Sequence, residues 1–253
     1  MNFKLLNIFY ELGVHIGEKK NKLFSHNNYF VVGIRNNLSI IDLDSTLFTV
    51  KKACFFLKAL GSRNAHLFFH YTNLYSLDKK IVSFFIYHIY QNKHSFVFNN
   101  WKYGLLSNYS MHASDIISEL FPEKKVKNTN FTSLLFKLIF FTFEKQEKGI
   151  EWSKHLYSIK KFWRFFSFYS FYRNLNVLPD VSIIINSNKV ITPIKESNSL
   201  KIPVVGLVDT DINSKYFTYP IFSNDNSFLI ASFFFMLFIN SYKAGNSISY
   251  NTL

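Results

Sequence analysis

The stretch SLKIPVVGLVDTDINSKYFTYPIFSNDNSF, residues 199–228, decides the fold. PVVGLVD is a short, continuous apolar run bounded by Pro203 and by two aspartates, Asp209 and Asp211. A strand that is apolar on both faces belongs inside a parallel sheet covered on both sides. The polar loop that follows ends at Asn224-Asp225-Asn226, which has the chemistry of a helix cap, and Pro220 stiffens the approach to it. In open α/β sheets ligands bind beyond the carboxyl ends of strands, so Asp209 is either a poised carboxylate or a residue that ties down local backbone as the chain leaves the strand. With no glycine-rich loop and no second carboxylate constellation nearby, the structural reading is favoured.

Working outward, the same alternation recurs. VSIIINS (181–187) is a second continuous apolar strand and ITPIKESNSL (191–200) a short helix. DNSFLIASFFFMLFINSYKAG (225–245) is a last helix with Gly245 just beyond it. Upstream, residues 3–12 have helical spacing, and a polar, basic loop GEKKNKLFSHNN follows. YFVVGIRNNLSIIDL forms two strands around an Arg35-Asn36-Asn37 turn, because Asn tolerates the left-handed backbone such turns require. DSTLFTVKKACFFLKALG is a helix with Asp44 or Ser45 as the expected cap and Gly61 as its expected end. HLFFHYT and SFVFNNW are strands flanking a helix, LDKKIVSFFIYHIYQN. Strands alternating with helices predict a three-layer, doubly wound (flavodoxin-like) parallel sheet, an α/β fold.

The alternation breaks after Trp101. Residues 130–173 carry no strand-turn punctuation and predict two basic, aromatic helices paired as a hairpin with a joint at Gly149. The expected organisation is therefore residues 1–110 as the first part of an α/β domain, 111–175 as a helical insertion, and 176–253 as the second part.

The formal net charge of +13 is unevenly placed. Residues 1–175 hold 24 Lys/Arg against 11 Asp/Glu, and residues 176–253 hold 5 against 5. A cationic field confined to one region points to a polyanion there, either nucleic acid or anionic lipid. The candidate contacts are Lys19, Lys20 and Lys22 in the basic loop, and Arg35 at the hairpin turn. Asn100, Trp101, Lys102 and Asn108 lie in the loop NNWKYGLLSN; Lys160, Lys161, Arg164 and Arg173 lie on the hairpin, interleaved with Phe162, Trp163 and Phe165. Lys and Arg neutralise phosphate, Asn reaches sugar and base edges, and Trp stacks or packs. The 31 Phe and 15 Tyr are weaker evidence, because residues with A/T-rich codons dominate the whole composition.

Other chemistries find little support. The eight glycines build neither a G-x-G-x-x-G turn nor a P-loop. His66 and His70, four apart on a strand, would lie about 13 Å apart, too far to share a metal. The single cysteine, Cys54, is read as a small buried hydrophobe. The opening residues show no secretory or transit pattern. The longest uncharged apolar run, FLIASFFFMLFI, has twelve residues against the roughly 20 of a bilayer span, so a buried helix is expected.

Several stretches, in order, carry a resemblance: ELGVHIG (11–17), GIRNNLSIIDLDST (33–46), NWKYGLLSN (100–108), LPDVSIIINS (178–187), IKESNSLKIPVVGLVDTDIN (194–213) and YPIFSNDNS (219–227). Together they resemble the universal family of ribosomal protein two of the small subunit, in an organellar form, with the mitochondrion expected and a plastid as the alternative. The resemblance implies a non-enzymatic, structural role, with Asp209 and Thr210 structural. It implies a doubly wound sheet with paired inserted helices on the back of the small subunit, near the junction of head and body. The implied partners are small-subunit rRNA and neighbouring small-subunit ribosomal proteins. No cofactor, no small-molecule substrate and no stable membrane insertion are implied. The chain departs from the family pattern at Asn100, where an Arg is usual, at Tyr103, where a Gly is usual, and at Tyr71-Thr72-Asn73-Leu74, where Gly-Thr-Lys-Lys is usual. Two other readings stand beside this one: a small-molecule enzyme with a pocket at the ends of strands 181–186 and 203–208, and a peripheral membrane protein using the basic-aromatic hairpin.

Overall fold

A five-stranded sheet forms the middle of the molecule in a computed structural model, which describes residues 2–71, 94–98, 101, 103–108, 178–185 and 191–251. Its strands are β4 (Leu67–Tyr71), β5 (Ser95–Phe98), β6 (Val181–Ile185), β7 (Val204–Val208) and β8 (Tyr219–Phe222), in the order β5-β4-β6-β7-β8. Every neighbouring pair is parallel. Renumbered along the chain this is the order 2-1-3-4-5 of flavodoxin-like sheets. The sheet is therefore shared by the two halves of the chain expected to form one α/β domain. The helices expected over 77–92 and the hairpin expected within 111–175 lie outside the described residues.

All five residues of β4, β6 and β7 are buried. That is the direct consequence of their continuous apolar sequences and of cover on both faces. On one face, Leu67, Phe69, Ile183, Val205 and Leu207 join a cluster with Phe9 of α1 (Asn2–Leu12), Val50 and Leu57 of α2 (Leu43–Ser62), and Phe234 and Phe238 of α4 (Phe228–Asn251). On the other, Ile184, Val204 and Val208 pack with Ile194 of α3 (Thr192–Ser199) and with Phe30 and Ile41. Burying each such side chain contributes roughly 1.5–3 kcal/mol, so the two clusters dominate stability. α4 has 24 residues, and by length and composition its segment Phe228–Ser247 could cross a membrane, which the twelve-residue uncharged run did not suggest. Here Ile230, Ala231, Phe234, Phe235, Phe238, Ile239 and Tyr242 are buried in the first cluster, as in a core helix.

A smaller antiparallel sheet is made of β1 (Ile16–Lys19), β2 (Val31–Arg35) and β3 (Leu38–Ile41), in the order β1-β3-β2. β2 and β3 close as a two-residue hairpin. Asn36 and Asn37 take φ of 49° and 63°, the left-handed pair that the turn needs. β1 was expected to be loop, and β8 was expected only as a stiff approach to a cap. β8 accommodates Pro220 because among the described strands it is an edge strand, with β7 its one neighbour.

The helix ends also differ from expectation. Asp42, not Asp44 or Ser45, caps α2, accepting from the backbone N–H groups of Asp44 at 3.2 Å and Ser45 at 3.1 Å. α2 continues to Ser62 and α4 to Asn251, so neither Gly61 nor Gly245 ends a helix. They face each other where α2 and α4 cross: a Cβ on Gly61 would overlap the Tyr242 carbonyl oxygen, and one on Gly245 would overlap that of Lys58. Cys54 is half-buried, and burial pushes its thiol pKa up.

Candidate nucleic-acid interface

The carboxyl end of β7, where a doubly wound enzyme would hold a ligand, is filled by the chain itself. Asp209 Oδ1 accepts from the backbone N–H and the hydroxyl of Thr210, and from the Glu18 N–H at 3.3 Å. The Thr210 hydroxyl oxygen also accepts from Glu18 N–H at 3.0 Å. The Ser39 hydroxyl, on β3, donates to the Glu18 carbonyl at 2.7 Å and lies 3.0 Å from the Thr210 oxygen. Thr210 and Ser39 sit so close to β1 that a Cβ on Gly17 would come within 2.7 Å of both. Asn27, fully buried, donates its amide to the carbonyls of Thr210 at 3.1 Å and Ile212 at 2.5 Å. Asp209 and Thr210 thus do more than satisfy local backbone: they fasten the small sheet, 191 and 192 residues away in sequence at Glu18, to the large one.

This seam presents the basic loop. β1 pairs with β3 at Lys19↔Leu38, and β2 pairs with β3 at Arg35↔Leu38, so Lys19 and Arg35 flank Leu38 on adjoining strands, about 10 Å apart. The Lys20 N–H donates to Asn37 O at 2.9 Å, which brings Lys20 beside the hairpin turn. Lys19, Lys20 and Arg35 are all exposed. Lys22 is exposed as well, but its ammonium pairs with Glu18 at 3.1 Å. Burial would push the Glu18 carboxyl up; the Lys22 hydrogen bond and charge more than offset this and hold it below its usual value.

The loop after β5 is held differently from a free stacking platform. Trp101 is half-buried, edge-on to Phe68 and His70, and its indole N–H donates to Glu196 Oε1 of α3 at 2.9 Å. The same carboxylate accepts from Gly104 N–H at 2.8 Å and Leu106 N–H at 3.1 Å. Glu196 is thus the organising residue of this loop, which the sequence did not signal because its partners lie 90 or more positions away. Tyr103 and Asn108 are exposed on the loop. Asn100, Lys102, Lys160, Lys161, Arg164 and Arg173 lie outside the described residues. Burial against Trp101 drives the His70 imidazole down to about 3, so it is neutral. Among the described residues no group of three or more His, Cys, Asp or Glu is placed to hold a metal ion.

A second basic surface was not anticipated. On α2 the exposed residues include Phe48, Lys51, Lys52, Phe55 and Lys58, with exposed Arg63 just past its end, whereas Val50, Ala53 and Leu57 are buried. The signal was available as Lys and Phe recurring at three- and four-residue intervals in TLFTVKKACFFLKALGSR.

The family model for ribosomal protein S2 matches residues 9–245, nearly the whole chain. The chain belongs to the ribosomal protein S2 family. It is 28% identical over 215 residues to small ribosomal subunit protein uS2c of Galdieria sulphuraria, covering 85% of this chain and 82% of that one. It is 30% identical over 219 residues to uS2 of Wolbachia pipientis subsp. Culex pipiens (strain wPip), covering 86% and 73%. It is 28% identical over 233 residues to uS2c of Euglena gracilis, covering 92% and 88%. As a member of this family the chain is a structural ribosomal protein of the small subunit, not an enzyme.

That role accords with the seam at Asp209, whose bonds are all spent on the chain itself. In this S2-family chain burial pushes the Asp209 carboxyl up to about 7; the Thr210 donors oppose the shift, and the nearby Asp211 and Glu18 charges add to it. The folded state therefore keeps a proton on Asp209 between about pH 4 and pH 7, where the unfolded chain has lost it. Stability contributed by this group is full below about pH 4 and is lost as pH rises to about 7. Urea midpoints at pH 5 and pH 8 are expected to differ less in Asp209→Asn than in the unaltered chain; an equal difference in the two proteins would remove Asp209 as the titrating group.

Proposed function

We propose that this chain builds the small subunit of an organellar ribosome by lying against its rRNA and neighbouring ribosomal proteins, with no small-molecule substrate. The observation that carries the RNA contact is the juxtaposition of Lys19, Lys20 and Arg35 at the tip of the small sheet, in the part of the chain that holds the entire charge excess. Asn100, Lys102 and Asn108 of the loop after β5 remain candidate contacts, with Trp101 bracing that loop through Glu196, and Lys22, Lys160, Lys161, Arg164 and Arg173 complete the candidate set. The doubly wound sheet serves as a rigid body that fixes these groups. Its expected seat is the back of the subunit near the junction of head and body.

Relatives named uS2c, the plastid form, and a bacterial uS2 support an organellar address. Within that, the mitochondrial matrix is the proposed location on the strength of the A/T-driven composition, with the plastid as the alternative supported by the uS2c relatives. Fractionation of the source cells decides between the two.

Co-sedimentation of the full chain with small ribosomal subunits through a salt series tests the RNA contact. Retention at moderate salt is expected, with a log–log affinity slope of roughly 0.7–0.9 for each phosphate neutralised. A chain that remains free, or that follows membranes after RNase treatment, defeats the proposal. Lys102→Glu is expected to reduce incorporation several-fold while leaving the unfolding midpoint of the isolated chain unchanged; normal incorporation of the variant would take this loop out of the contact set.

A further inference from the structure

The exposed side of α2 presents two large aromatic rings and several cations at the surface. Phe48 is 59% and Phe55 77% exposed, and they lie seven residues apart, about 10 Å along the helix axis. Lys51, Lys52 and Lys58 are exposed on α2 and Arg63 is exposed just past its end, against the single carboxylate Asp44 at the helix start. Lys52 sits over the Phe48 ring, 4.3 Å from its centroid. Lys52, Lys58 and Arg63 form no ion pair among the described residues. The opposite side of α2 is locked: Val50, Ala53 and Leu57 are buried, and Gly61 abuts Tyr242 and Gly245 of α4. The helix cannot roll to hide these rings, so they are presented rigidly.

We propose that this face of α2 is a second docking surface for folded RNA, in which Lys51, Lys52, Lys58 and Arg63 line a phosphate track and Phe48 and Phe55 meet exposed nucleotide faces. The inference rests on the reading of the chain as an rRNA-bound protein and adds a contact surface to it. Charge decides the occupant. Four cations between positions 51 and 63, three of them on about 10 Å of helix, match a polyanionic backbone. The core of a protein–protein interface is instead depleted in charge, and a membrane-seated helix needs one continuous apolar side, whereas lysines here separate the two rings. Aromatic faces beside cations suit unpaired bases in RNA, which stack on such rings.

The test uses the full chain in reconstituted small subunits. Phe55→benzoylphenylalanine, irradiated after assembly, is expected to give an RNase-sensitive adduct to rRNA. Lys52→Glu, Lys58→Glu and Arg63→Glu combined are expected to lower incorporation at least tenfold and to flatten the salt slope by about two to three units, with the unfolding midpoint of the free protein unchanged. If the triple variant does not fold, the crosslink alone decides, since that chain keeps every cation. An adduct to protein or lipid, or normal incorporation of a folded triple variant, overturns the α2 surface while the unaltered chain still enters subunits. Failure of the unaltered chain to enter subunits would instead sink the rRNA reading as a whole.

Discussion

Gly245→Ala is expected to lower the stability of the free protein by about 3 kcal/mol or more, read as a fall in the urea midpoint. In an ordinary exposed helix the same change would stabilise by roughly 0.5–1 kcal/mol, because alanine loses less backbone entropy. Here the added methyl has nowhere to go. It would overlap the Lys58 carbonyl oxygen of α2 and come within 3.0 Å of Gly61 Cα. Both obstacles are backbone, so no side chain can swing aside, and α2 and α4 must separate. That separation opens the cluster formed by Leu57, Phe234, Phe238 and Tyr242, and it strains the Tyr242 hydroxyl bond to Ala65 O at 2.8 Å. Overpacking of a dense core costs about 1–3 kcal/mol where side chains adjust, and a rigid backbone contact belongs at or above the top of that range. Gly61→Ala is expected to behave alike. A midpoint unchanged or raised in either variant would refute the close crossing.

Asn27→Asp is the second large effect. The Asn27 side chain is fully buried, and its amide nitrogen donates to the carbonyls of Thr210 and Ile212. A carboxylate there brings an unpaired buried charge against those acceptors, with the Asp209 carbonyl 3.5 Å from the original nitrogen. An uncompensated buried charge costs about 3–5 kcal/mol. The cost is expected to shrink as pH falls, because the new group binds a proton in the folded state before it does in the unfolded one, which raises its folded pKa. Urea midpoints at pH 5 and pH 8 check both the size and the sign. Asn27→Ala should lose less, about 1–3 kcal/mol, since it removes donors without adding charge. Equal losses in the two variants at both pH values would deny the hydrogen-bond role of Asn27.

The large sheet was legible because its strands carry their own signal. PVVGLVD and VSIIINS are apolar without interruption, and only cover on both faces explains that. The Asn36-Asn37 turn was legible for a similar local reason: few side chains tolerate two successive left-handed residues. β1 was not legible. Its sequence, IGEK, has one buried position, a glycine, and it becomes a strand only because Ile16 and Lys19 find partners on β3. β8 was obscured by Pro220, which argues against a strand unless one edge stays unpaired. The caps and helix ends were misread by one turn or less at Asp42, and by wrong function at Gly61 and Gly245, whose lack of a side chain serves packing rather than termination.

What the chain by itself determined is the set of properties carried by neighbours in sequence: apolar runs, turn residues, the α/β alternation, the charge excess in residues 1–175, and the ordered stretches that place it in the ribosomal protein S2 family. Tertiary structure alone decided which distant residues meet. It joined Asp209 and Thr210 to Glu18, Glu196 to the Trp101 loop, and Gly61 to Gly245, and it set Lys19, Lys20 and Arg35 on one tip. The physical reason is that periodicity and propensity act within a few residues, whereas each of these pairings exists only after loops spanning up to nearly 200 positions have closed.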